Sequence, residues 1–64
     1  MKLTSRQEDV IDLVANGFAD KEIAQKLKLS PRTVQTHLKT VILKLNARNR
    51  AHAAAIYVIA KYKS

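Results

Sequence analysis

A chain of 64 residues with one glycine, one proline and no cysteine holds one small domain, supported by neither disulfides nor thiolate metal sites. The net charge of +7 is polarised: all five acids fall in the first 22 positions, which sum to −2, and the remainder sums to +9. That asymmetry favours a polyanion as partner, nucleic acid or an anionic membrane surface, with a basic face kept for solubility as the plain alternative. No apolar run approaches the roughly 20 residues that a membrane-spanning helix needs. The start, MKLTSRQEDV, has no signal-peptide core, so a cytoplasmic protein is the expectation.

Strand-like alternation is absent, and the pattern predicts an all-α fold of four helices. The first spans about residues 5–16. Thr4 suits its N-cap and Gln7, three residues on, completes a capping box. Glu8 and Asp9 suit the positive end of the helix dipole, and Gly17 suits a left-handed stop. Val10, Ile11, Val14 and Leu13 supply its apolar face. The second helix spans about 20–27, with Asp20 and Glu22 near its start and Ile23, Ala24 and Leu27 inward. KLKLS then leaves so short a connection that the next helix must cross steeply, with the small Ala24 at the crossing.

The third helix, about 31–45, begins on Ser30 as N-cap and Pro31 at the first helical position. Val34, Leu38, Val41 and Leu45 recur at the spacing of a buried face. The opposite side carries Arg32, Thr36, Lys39, Thr40 and Leu43, with Gln35 on the flank. An ordinary exposed helix face mixes Glu with Lys, yet this helix has no acid at all. Two short helices followed by a polar, acid-free third one form a helix-turn-helix pattern, over about 20–45, whose last helix suits the major groove of B-DNA. Asn46 is a natural left-handed residue after it.

The fourth helix, about 50–61, is apolar nearly all round. Ala53, Ala54, Tyr57 and Ala60 form one face, while Ala55, Ile56 and Ile59, flanked by His52 and Lys63, form another. A terminal helix buries one face on its own core, so the second suggests a partner. Arg50 is expected to pair with Glu8 or Asp9, with a phosphate contact as its alternative role. No nucleophile–base set, Gly-rich phosphate loop or metal motif is present, so neither an enzyme nor a cofactor is expected.

LTSRQEDVIDLVANGFADKEIAQKLKLSPRTVQTHLKTVILKLNARNRAHAA, residues 3–54, resembles the LuxR-type (GerE-like) DNA-binding domain without a gap. DKEIAQKL, LSPRTVQTH and KL followed by Arg50 and Ala53 carry the likeness most specifically. The resemblance implies one four-helix bacterial domain, residues 1–64, that regulates transcription at the nucleoid. Its implied partners are double-stranded DNA, a second copy of the chain, paired if need be only on DNA, and RNA polymerase; a membrane is not among them. It implies base contacts from Gln35, Thr36 and Lys39, and backbone contacts from Lys21, Ser30, Arg32, Thr33, His37, Thr40 and Lys44. His37 has packing at the contact of helices 2 and 3 as its alternative role. The resemblance implies pairing through the fourth helix, with His52, Ala55, Ile56 and Ile59 at the interface.

Several positions depart from the family pattern. Gln35 replaces the usual Lys, and Gln is suited to adenine, whose N6 and N7 it can bond together. Thr40 replaces Asn, and Gln7 and Asp9 replace Glu. Asn46 and Ala47 replace Gly and Val, and Ala19 replaces Ser or Thr, so that Asp20 is expected to cap the second helix. Two other functions fit the pattern: a protein-interaction inhibitor that pairs with a larger LuxR-type regulator, and a sigma-factor-like promoter-recognition domain. The chain is either a stand-alone regulator or a piece of a larger one.

Overall fold

The computed structural model describes residues 2–63; the outermost residue at each end of the expected 1–64 domain lies outside them. Four helices and no strand make up the described residues: α1 (Ser5–Ala15), α2 (Asp20–Leu27), α3 (Pro31–Lys44) and α4 (Arg50–Lys63). α1 lies against both α3 and α4, and α2 packs on α3. The all-α expectation therefore holds. Three helix ends move: α1 and α3 each stop one residue early, and α4 runs two residues further.

The starts follow from side-chain chemistry. At α1, Gln7 N donates to Thr4 Oγ1 at 3.2 Å and Thr4 N donates to Gln7 Oε1 at 3.0 Å, the anticipated capping box. At α3, Thr33 N donates to Ser30 Oγ at 3.1 Å, and Pro31 fills the first turn. At α4, His52 N donates to Asn49 Oδ1 at 2.9 Å. α2 differs from expectation. Ala19 occupies its N-cap and has no side chain to accept a bond; Ala19 N instead donates to Glu22 Oε1 at 2.8 Å. Asp20 is already inside the helix, and its carboxylate faces Arg50.

The first three helices stop in the same way. Phe18 N bonds Leu13 O, Leu29 N bonds Ala24 O, and Ala47 N bonds Ile42 O, each reaching back five residues. The residue before each donor is left-handed: Gly17 at φ 90°, Lys28 at φ 58° and Asn46 at φ 52°. This arrangement satisfies carbonyls that a helix end otherwise leaves bare. Gly17 and Asn46 were expected there; Lys28 was not.

Val10, Ile11, Ile23, Ala24, Val34, Leu38, Val41, Leu45 and Ala53 form the buried core. Every predicted apolar position of α3 is among them. Among the described residues Gln7 is the buried polar one, and its Oε1 accepts from both Thr4 N and Lys44 Nζ, the latter at 2.9 Å. On α4 the inward face is narrower than anticipated. Ile56 lies three residues after the buried Ala53, hence on the same side, and packs half-buried against the core rather than on the outer face. Ala60 is exposed, because the last turns of α4 run past the end of the core. There Asp12 Oδ1 accepts from Tyr57 OH at 3.3 Å and from Lys61 Nζ at 3.1 Å, tying α1 to α4.

Candidate nucleic-acid interface

Because α3 buries Val34, Leu38 and Val41, its other side is fixed outward by the 3.6-residue repeat. Arg32, Gln35, Thr36 and Lys39 come together there around a shallow depression of about 330 Å³. All four are exposed. Three are the expected base-contacting residues; Arg32, expected at the backbone, sits among them. Leu43 continues the stripe towards the C-terminal end of α3 and is 73% exposed.

Two hydroxyls on this side are already committed. Thr36 Oγ1 donates to Arg32 O and Thr40 Oγ1 donates to Thr36 O, both at 3.1 Å. Thr40 is also half-buried, so it presents less to solvent than a residue pointing straight out. Ser30 and Thr33 hydroxyls lie 2.9 Å apart at the start of the helix, where backbone N–H groups also point outward. Lys21, near the start of α2, is exposed, and His37 is half-buried on the flank of α3.

Lys44 is set apart from the other expected contacts. Its ammonium donates to Lys2 O at 3.2 Å as well as to Gln7 Oε1, so it clamps α3 to the start of α1. Arg50 likewise serves the fold, although with a different acid from the two expected. It pairs with Asp20 and donates to Phe18 O at 3.3 Å. The start of α4 stands beside the start of α2, whereas Asp9 is engaged by Arg6 within α1 at 3.5 Å.

The outer face of α4 also differs in membership from the expected one. Ala55 and Ile59 are exposed, Ile59 at 57%. His52 is exposed, but its Nδ1 accepts from Arg48 N at 3.0 Å, which reinforces the helix start. Tyr62 joins the face, 86% exposed, because α4 extends beyond residue 61. Its signal was present in the sequence: positions 55, 59 and 62 repeat at intervals of four and three. Among the described residues no cluster of His, Asp or Glu is arranged to hold a metal ion, and no helix is long and apolar enough to cross a membrane.

Residues 1–57 match the family model described as bacterial regulatory proteins, luxR family. The chain is 42% identical over 57 residues to the uncharacterized transcriptional regulatory protein YhcZ of Bacillus subtilis, covering 89% of this chain and 27% of that one. It is 38% identical over 56 residues to the nitrate/nitrite response regulator protein NarP of Escherichia coli, covering 88% and 26%. With the HTH-type transcriptional regulator MalT of Vibrio campbellii it shares 39% identity over 51 residues, 80% of this chain and 6% of that one. The chain thus spans about a quarter or less of the length of these relatives.

Proposed function

The chain belongs to the luxR family of bacterial regulatory proteins, as a helix-turn-helix DNA-binding domain, and from that premise we propose that it reads specific duplex sequences with α3 in the major groove. The observation that carries this reading is the acid-free cluster of Arg32, Gln35, Thr36 and Lys39 on the exposed side of α3. Gln35 and Lys39 act on base edges. Arg32, Thr33, Ser30, Lys21 and His37 hold phosphates and set the helix in register. Thr40 and Lys44 contribute by fixing the helix, through their bonds to Thr36 O and to Lys2 O and Gln7 Oε1, rather than by reaching out.

Pairing of two copies through α4 fits the exposed stripe of Ala55, Ile59 and Tyr62. Two domains related by a two-fold axis then address two half-sites of a palindrome.

Selection from a pool of random duplexes tests both parts. The wild-type chain is expected to enrich a palindrome, and Gln35→Ala with Lys39→Ala to enrich none while keeping weak, salt-sensitive binding. Ile59→Arg is expected to bind a single half-site normally and to lose preference for the paired sites. Equal binding of all duplexes by wild type and double variant overturns the reading. Loss of activity by pairing with a longer relative, without sequence selection, would point to an inhibitor instead.

A further inference from the structure

Lys44 stands in the last turn of α3, yet the bonds of its ammonium leave the helix. Nζ donates to Gln7 Oε1 at 2.9 Å and to Lys2 O at 3.2 Å, 37 and 42 positions away along the chain. Thr4 N donates to the same Gln7 oxygen at 3.0 Å. A carboxamide oxygen has two lone pairs, so Lys44 and Thr4 fill it between them. Gln7 is only 8% exposed, which leaves water little access to replace either donor. Leu3, between the two anchored backbone positions, packs against the core. One ammonium and one oxygen therefore hold residues 2–4, the cap of α1 and the end of α3 together.

A helix moves as a rod over a few turns, so the end of α3 and its outward row of Arg32, Gln35, Thr36 and Lys39 shift together. Release of residues 2–4 breaks the bond to Lys2 O and takes Thr4 from the Gln7 oxygen. A shift of α3 takes Lys44 from both acceptors. We propose that Lys44 is a positioning residue that couples the seating of residues 2–4 to the setting of α3 on DNA. The proposal rests on the major-groove reading above. A duplex that restrains α3 then restrains residues 2–4 as well. The coupling is reciprocal, so a load that unseats residues 2–4 loosens the hold on DNA.

The Thr4 amide reports the coupling, because its proton is bonded to the shared oxygen and it lies outside the outward row of α3. Its hydrogen exchange is measured with and without the duplex that the wild-type chain enriches from the random pool. Exchange is expected to slow about fivefold in the wild-type complex. Lys44→Met removes the donor and keeps the length of the side chain. It is expected to bind the duplex about fivefold more weakly and, at saturating duplex, to show no slowing at Thr4. Lys44→Arg keeps donors for both oxygens and is expected to restore both properties. A Lys44 that serves stability alone would lower the unfolding midpoint of Lys44→Met and leave its affinity unchanged, which overturns the proposal. Equal Thr4 exchange in the free and bound wild-type chain also overturns it, and that comparison needs no variant to fold. In either case the major-groove reading stands. If the wild-type chain enriches no sequence at all, both fall together.

Discussion

Lys28 holds a left-handed backbone conformation that lysine seldom adopts. It ends α2 at φ 58°, a conformation in which a side chain costs about 1–2 kcal/mol. Glycine removes that cost but gains freedom in the unfolded chain, which offsets part of the benefit. Lys28→Gly is therefore expected to stabilise the domain by about 0.5–1 kcal/mol, read as a raised denaturant midpoint with an unchanged slope. Gly17 was legible because glycine advertises a left-handed position, and Asn46 nearly so. A lysine sends no such signal. What requires it is the five-residue return bond from Leu29 N to Ala24 O, a property of the turn rather than of the residue. The same limit explains Asp20. An acid before a helix looks like a cap, but Ala19 holds that place and frees Asp20 for Arg50, a partner 30 positions away.

Periodicity made the helices legible, since buried faces must recur at 3.6 residues whatever the surroundings. α3 shows this best: its buried residues and its outward row both follow from spacing alone. α4 was harder, because alanine fits inside and outside equally well. Which of its apolar residues is buried depends on where α1 stops, and no local pattern carries that. The end of α4 is held to α1 by Asp12, Tyr57 and Lys61, and that junction is sensitive to alkali. Burial raises the Tyr57 phenol above its ordinary value of 10.0, and the Asp12 carboxylate raises it further. The hydrogen bond to Asp12, with its charge, raises Lys61 above 10.5. Both groups keep their proton longer in the folded chain than in the unfolded one. Their contribution is complete below about pH 10 and is lost as pH climbs through the folded-state values. Thermal unfolding between pH 8 and 12 is expected to show a falling midpoint above about pH 10, with a shallower fall in Tyr57→Phe. An equal fall in both would remove Tyr57 from the account.

At the scale of the molecule, the domain is a prism of about 30 × 19 × 19 Å with four of its five acids turned to local work. Asp9 answers Arg6, Asp12 answers Tyr57 and Lys61, Asp20 answers Arg50, and Glu22 answers the N–H of Ala19. Arg32 and Lys39 remain on a face with no acid of its own helix beside them. The outward row of Arg32, Gln35, Thr36 and Lys39 lies on one helix, so its membership was legible in the sequence. The distribution of carboxylates among donors was not, because five separate contacts decide it. That distribution has a consequence in time rather than in affinity. An approaching duplex meets a positive field with few competing negative charges, and attraction begins at about the Debye length, ~10 Å at 0.1 M salt. Encounter should therefore be steered, so that adding salt slows arrival more than it hastens departure. Stopped-flow association and dissociation rates across a salt series check this. If the dissociation rate carried most of the change, the approach would be unguided, and the domain would find its site by collision alone.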